Sequence, residues 1–435
     1  MPRFEQSRAA WRGLLLSSGT LLSGQLVARL IGFATVFVLA RAIEPSGFGL
    51  VTLGATLVIF FGILVDAGTE VLNVRDVARE PRSLRAIVEP ILGLRLALSF
   101  PAAALFGVAV FAAADSSADR VALGLFALVL PMVALNPRWI VVAVGGSKAI
   151  VAGSVIKELV LFAGVILLVR ELHDTMLVAL LVAVGELASA LVVLRWTRRR
   201  FGVLRPRIDL PAWRQALRSG WPMLVNNLAR TGVISLDVVL IALLLDRESV
   251  GLYSAAYKPV LFLISAMALY FVSFLAHYSA AGGEDAKQLF RRTVTLAVMV
   301  TVPAALLVAT ESSFFVRFAY GDAFAGAAAA LAVLAWSVPI AAISEPYRQT
   351  LIAGGRERLL MRNNVVGALV NLAANLAVIP LFGIVGAAVV TLVSEALIAA
   401  LNARAVVTQR LERSPVSVLA DYMRWHRPRL PRRAD

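Results

Sequence analysis

Five arginines adjoin or interrupt long apolar runs: Arg29, Arg95, Arg138, Arg230 and Arg348. An arginine near the middle of a hydrocarbon layer costs roughly 2.5–3.5 kcal/mol on insertion scales, so each is expected to face protein or a water-filled space. Its guanidinium stays charged and presents a planar fork of donors that matches phosphate oxygens. Arg29 and Arg230 fall near the middle of the first and seventh apolar segments and would suit an anionic group entering between them. Arg95, Arg138 and Arg348 would extend that basic lining, and a diphosphate is the group it fits. The other reading pairs each arginine internally, with Glu70, Glu89, Glu158, Glu186 or Glu395.

Two of these carboxylates, Glu186 and Glu395, sit mid-segment. They are candidates for coupling an ion to transport, or for hydrogen-bonded contacts between helices. Asp237 and Lys258 lie at similar distances from one turn and are expected to form a structural ion pair. No catalytic group emerges, since the chain shows no phosphate-cradling glycine loop and no clustered acids. It has no cysteine and only three scattered histidines, His173, His277 and His426. Neither a metal nor a cofactor is expected, and no sizeable polar segment is present to house a transferase or polymerase site.

The elements that must carry these charges are membrane helices. The 435 residues are 60% hydrophobic and 16% charged, with a mean hydropathy of +0.82, which leaves too little polar surface to coat a soluble globule. Runs of about 20 apolar residues, each enough to cross a hydrocarbon core, place helices near 13–40, 48–70, 86–113, 120–143, 147–169, 174–196, 217–245, 249–277, 290–316, 324–351, 358–380 and 384–406. A net charge of +15 would suggest nucleic acid in a soluble chain. Here the basic residues lie between apolar runs and alternate by side, which is topology, and no nucleic-acid partner is expected.

Even-numbered connections carry the arginines: Arg75, Arg79, Arg82 and Arg85, then Arg356 and Arg358, with the densest run from Arg195 to Arg218. The positive-inside rule puts these connections and both termini in the cytoplasm. Arg3, Arg8 and Arg12 precede a first segment that is long and shows no clear cleavage site, so it reads as a retained helix.

A phrase recurs: Glu44-Pro45-Ser46-Gly47-Phe48-Gly49-Leu50 and Arg247-Glu248-Ser249-Val250-Gly251-Leu252-Tyr253. Pro131, Asn136-Pro137 and Gly145-Gly146 recur as Pro339, Glu345-Pro346 and Gly354-Gly355, and Glu186 recurs as Glu395. An even number of helices in each half makes the halves parallel repeats with a cavity at their interface. The division is a six-helix bundle over 1–197, a basic linker over 198–212, a second bundle over 213–410 and a basic tail over 411–435. In the tail, Val416, Leu419, Met423 and Trp425 suit either a helix on the inner leaflet or a solvated segment.

Ala40-Arg41-Ala42-Ile43-Glu44-Pro45 with Gly47-Phe48-Gly49 resembles the first hairpin of the polysaccharide transporter (Wzx-type oligosaccharide flippase) family, within the MATE-containing exporter superfamily. So do Asp66-Ala67-Gly68, Asn73 to Arg79, Asn136-Pro137-Arg138-Trp139, and Gly220-Trp221-Pro222 through Asp237 to Tyr257. The resemblance implies an all-α integral membrane protein of about 12 transmembrane helices, in two six-helix bundles around a central cavity. It further implies transfer of undecaprenyl-diphosphate-linked oligosaccharide across a bacterial inner membrane by alternating access. Its partners would be that lipid, membrane lipids and a polysaccharide polymerase or glycosyltransferases. A peptidoglycan-precursor flippase, a multidrug cation antiporter and a membrane assembly scaffold are the competing readings.

Overall fold

The computed structural model describes residues 2–79, 84–114, 116–169, 174–280 and 283–408, with most side chains from residue 23 onward. The tail 411–435, with Val416, Leu419, Met423 and Trp425, lies outside the described residues, as do Arg82 and His173. Every regular element among the described residues is helical. Besides short 3-10 turns at Phe126–Leu128 and Asp322–Ala327, these are, in the first half, α1 (Pro2–Asp66), α2 (Thr69–Arg79), α3 (Leu84–Ala113), α4 (Ser117–Leu125), α5 (Val129–Leu135), α6 (Arg138–Ala143), α7 (Ser147–Leu168) and α8 (Thr175–Phe201). In the second half they are α9 (Leu210–Leu244), α10 (Arg247–Ala280), α11 (Gly283–Thr310), α12 (Ser312–Tyr320), α13 (Ala328–Leu334), α14 (Ser337–Ala353) and α15 (Glu357–Thr408).

Two of these helices are far longer than one crossing needs. α1 runs for 65 residues but is broken at Glu44, whose φ of 56° and ψ of 176° leave the helix. Pro45 follows directly; it lacks an N–H and disfavours helical backbone in the residue before it. α15, of 52 residues, is broken at Gly383 with φ 58°, a value that glycine adopts without a Cβ penalty. Each is therefore two helices joined at a sharp break. Eight described helices are long and apolar enough to cross a membrane, and ten if two bent pairs are each taken as one span. The expected twelve crossings require, in addition, that both broken helices count twice.

The bent pairs have a physical signature. Val294–Thr310 meets Ser312–Tyr320 at 77°, and Asp322–Leu334 meets Ser337–Ile352 at 41°. Basic residues close α8, with Arg198, Arg199 and Arg200 in its last turn, where the helix dipole favours cations. The extended stretch between the halves is thereby confined to residues 202–209, inside the expected 198–212. It is strapped to α3: the Arg207 N–H donates to the Glu89 carbonyl at 3.0 Å and the Trp213 indole to the Pro90 carbonyl at 2.8 Å. Asp209 caps α9 through the Ala212 N–H.

One apolar core runs through both halves. It holds Phe48, Phe106, Phe126 and Leu130 from the first with Tyr253, Ile241, Phe324 and Leu334 from the second. α1 packs along α7 and α10, while α9 packs along α15.

Candidate functional site

A polar concavity of about 660 Å³ lies in the first half, walled by α1, α2, α3, α5, α6, α7 and α8. Four cations line it, Arg29, Arg95, Arg138 and Lys157, and so do four acids, Asp66, Glu70, Glu158 and Glu186. Asn227 of α9 reaches in from the second half.

Half of that charge is consumed internally. Arg95, at the buried face of α3, donates to the Asp66 carboxylate and to the Thr69 hydroxyl at 3.2 Å. Its guanidinium carbon stands 5.5 Å from the centre of the Trp139 ring. Asp66 and Thr69 flank the break at Ala67 and Gly68, both with positive φ, so the clasp ties α3 to the end of α1. On the opposite wall the Lys157 ammonium meets Glu186 at 2.7 Å, and the Asn136 amide approaches the same carboxylate at 3.5 Å. Arg95 and Glu186 thus serve architecture first.

Arg29 and Arg138 have no ion-pair partner among the described residues, and neither do Glu70 and Glu158. Glu158 faces α1 so closely that a Cβ on Gly32 would lie 2.7 Å from its Oε2. Two unpaired guanidinium groups can each hold phosphate oxygens with several N–H donors. Two unpaired carboxylates can accept from hydroxyls, the commonest donors of a sugar.

Arg230 and Arg348 do not line this cavity. Arg348 forks onto Glu345, with its Nε donating at 2.8 Å, and Gln349 donates to the same carboxylate at 2.7 Å. Arg230 lies within electrostatic range of both Glu345 and Arg348. Asn227, one turn before Arg230, does reach the cavity. The five arginines are therefore split between the halves, and Arg29 and Arg230 are not brought into one pocket.

The expected Asp237–Lys258 ion pair is absent. Asp237 is fully buried and accepts from Tyr253 at 2.7 Å, from Asn375 at 2.6 Å and from Thr391. The Lys258 ammonium instead stands 5.5 Å from the centre of the Phe48 ring, a cation–π contact across the halves. The reason is helical rotation: Tyr253 and Tyr257 share a face of α10, and Lys258 is turned about 100° from Tyr257. Glu395 takes a hydrogen bond from Tyr257 at 3.4 Å, so its surroundings differ from those of its repeat partner Glu186. Asp66 and Tyr253 entered the sequence reading only as members of motifs, without a partner or role, and Lys157, Asn375 and Thr391 did not enter it. The polar spacing of Asn364, Asn371 and Asn375 within apolar α15 was the available signal for the last group.

Contacts between the halves gather at one end of the molecule. At the end marked by Glu44, Arg247 of α10 contacts both oxygens of Asp119 in α4 at 2.6 and 2.7 Å. Arg41 donates to the Phe318 and Ala319 carbonyls, and the turns at Gly49 and Gly251 touch through their backbones. The cavity residues Asp66, Glu70 and Arg138 lie away from that end; Trp139, next to Arg138, packs with Phe201 and with Leu204 of the linker.

Similarity to known proteins agrees with this architecture. The protein shares 26% identity over 172 residues with the probable low-salt glycan biosynthesis flippase Agl15 of Haloferax volcanii, covering 39% of this chain and 36% of that one. The match thus spans only about a third of that relative's length. The fold superposes on the lipid II flippase MurJ in an inward closed conformation with a TM-score of 0.73 at 12% identity, covering 93% of this chain and 92% of that one. An inward-facing multidrug MATE transporter gives 0.64 at 12% identity over 87% and 96%, and the eukaryotic MATE transporter AtDTX14 gives 0.61 at 13% over 94% and 98%. Residues 14–275, well over half of the chain, match the family model described as polysaccharide biosynthesis protein, and the protein belongs to that family of multi-pass membrane proteins.

Proposed function

We propose that this protein is a flippase that carries a lipid-linked oligosaccharide between membrane leaflets. The head group comprises a diphosphate and sugars, with undecaprenol as the lipid. One observation carries the reading: Arg29 and Arg138 line a cavity with no ion-pair partner among the described residues, and so do Glu70 and Glu158. That mixture suits a ligand with an anionic linkage and many hydroxyls better than it suits an organic cation. Family membership and the transporter-like fold support the same class.

In this reading the linker side is cytoplasmic, because Arg198, Arg199, Arg200, Arg205 and Arg207 gather there. The head group enters from that side of a bacterial inner membrane, while its tail stays in the bilayer. The contacts among Gly49, Gly251, Asp119 and Arg247 keep the far side shut. Rocking of the halves then opens the far side, and the product serves surface polysaccharide assembly. The test is genetic and chemical. A deletion strain should accumulate lipid-linked oligosaccharide on the cytoplasmic leaflet, and Arg29→Ala with Arg138→Ala, at normal abundance, should fail to clear it. Full clearance by that double variant overturns the site.

A further inference from the structure

A further concavity, of about 520 Å³, lies behind the wall of the charged cavity. It is bounded by the end of α8, by Gly202, Val203 and Leu204 of the linker, by Leu92 of α3 and by Pro137. Asn136 and Arg138 line the cavity, while Pro137 between them lines this notch. On α8 the division follows helical rotation. Ser189 and Val193 line the cavity, and Leu191, which lines the notch, stands about 160° around the axis from both. The notch is thus separate from the cavity.

Its charged residues are Arg195, Arg198 and Arg199, and no acid lines it. All three arginines are exposed, and none has an ion-pair or hydrogen-bond partner among the described residues. The next residue, Arg200, differs, since it stands 5.8 Å from the Trp196 ring and 5.9 Å from the Phe201 ring. A fourth guanidinium stands at the rim: Arg85 donates to the Phe201 carbonyl at 3.0 Å, and a Cβ on Gly202 would lie 2.8 Å from it. The carboxylate that does touch the linker, Glu89, accepts from the Arg205 N–H at 3.3 Å and lies outside the notch.

Next to the arginines the wall is apolar. Leu180, Val184, Leu187 and Leu191 are exposed at spacings of three and four, so they form one ridge on α8, and Arg195 and Arg198 continue it. Val203, exposed on the linker, supplies a second apolar edge.

We infer that the notch seats a two-chain acidic phospholipid of the surrounding membrane, with its phosphate on Arg195, Arg198 and Arg199 and its chains on the Leu191 ridge and beside Val203. Clustered arginines at a membrane surface attract anionic head groups, and their planar forks take phosphate oxygens with several donors. Two apolar edges suit two acyl chains, whereas a polyprenyl carrier has one. The notch is also walled off from the cavity that the transport reading gives to that carrier. The tail over 411–435 is itself basic, so this chain does not supply the occupant. Seated there, the lipid ties the end of α8 to the linker that joins the halves and braces Pro137 behind Arg138.

The experiment offers the purified full-length protein phosphatidylglycerol, phosphatidylcholine and undecaprenyl phosphate in equal amounts in mixed micelles, and counts retained lipid by native mass spectrometry. Phosphatidylglycerol should exceed phosphatidylcholine by about fivefold or more, the factor that one arginine at an anionic surface supplies. Arg195→Gln with Arg198→Gln should remove that excess at an unchanged melting temperature, and Arg199→Gln alone repeats the test if the double variant melts lower. Arg205→Gln with Arg214→Gln removes the same charge from exposed positions outside the notch and should keep the excess. Glycerol 1-phosphate in excess should not displace the lipid, because the chains hold it. Equal retention of the two phospholipids, an equal loss in both double variants, or displacement by glycerol 1-phosphate overturns the assignment. So does a loss of undecaprenyl phosphate from the notch variant that matches the loss of phosphatidylglycerol, since the notch would then take any anionic lipid. None of these outcomes depends on Arg29 or Arg138, so the transport reading stands or falls separately.

Discussion

Gly49 and Gly251 meet backbone to backbone where the two halves touch. A Cβ on Gly49 would stand 1.8 Å from the Arg247 carbonyl oxygen, and one on Gly251 would stand 1.9 Å from that of Pro45. Both pairs keep one spacing in sequence, because Pro45 and Arg247 are as far apart as Gly49 and Gly251. The contact is therefore self-complementary, like that across a two-fold axis between identical subunits. Here the repeat supplies both sides within one chain.

Either glycine replaced by alanine has only backbone to push against, and must separate the two turns. Overpacking of this kind costs about 1–3 kcal/mol. Once one substitution has separated the turns the second meets less resistance, so Gly49→Ala with Gly251→Ala should cost less than the sum of the singles. Thermal unfolding of the three variants in one detergent measures this, and simple additivity would show that the turns do not share one contact.

The Asp119–Arg247 pair spans the same end of the molecule, with Asp119 largely buried and Arg247 half exposed. Its contribution to stability is small, about 1 kcal/mol or less, but it acts on one side of the proposed rocking motion. Asp119→Asn should leave the melting temperature nearly unchanged. It should raise the labelling rate of a cysteine introduced at Leu53, which is buried in this state, several-fold. The natural chain has no cysteine, so the label reports that position alone; an unchanged rate would remove the pair from the closure.

The cavity arginines should separate by role. Arg95→Met leaves the Asp66 carboxylate largely buried and unpaired, which costs about 3–5 kcal/mol when a buried pair is broken, reduced somewhat by the partial exposure of Asp66. Arg29→Gln and Arg138→Gln break no hydrogen bond or ion pair among the described residues and should stay within about 0.5 kcal/mol of the parent. The same two variants should weaken retention of a diphosphate-linked lipid at least tenfold. Chemical or thermal denaturation beside a lipid-binding measurement tells the two effects apart.

The division between legible and illegible features has a physical cause. Apolar length and arginine placement revealed the helices and their breaks, because a membrane helix must close its backbone hydrogen bonds within itself. The repeated phrase around Gly49 and Gly251 marked the turns, but their contact was invisible. Rotation about each helix axis was the larger loss. In a soluble helix the polar face shows which side is buried, whereas here lipid and protein interior are both apolar and the signal vanishes. Distance from a turn placed Asp237 and Lys258 at one depth, yet it was silent on azimuth, and they point to different neighbours. For the same reason Arg95 gave no sign of its partner Asp66, nor Glu186 of Lys157.

Asp237 and Lys258 supply a decisive comparison. Asp237 holds Tyr253, Asn375 and Thr391 in one buried network between α9, α10 and α15. Interhelical hydrogen bonds of this kind contribute about 0.6 kcal/mol on average and up to about 1.7 within membranes. Tyr253→Phe and Thr391→Val should therefore each cost roughly 1 kcal/mol. Their combination should cost less than the sum, since both act on one carboxylate and on each other. Lys258, lying over Phe48 with no ion-pair partner among the described residues, should tolerate Lys258→Met with no loss of stability, because the desolvated ammonium is exchanged for a side chain of similar length. Were the two residues an ion pair, removing the lysine would strand a buried carboxylate and cost about 3–5 kcal/mol. Unfolding of Lys258→Met, measured beside Tyr253→Phe under one set of conditions, separates these outcomes by several degrees.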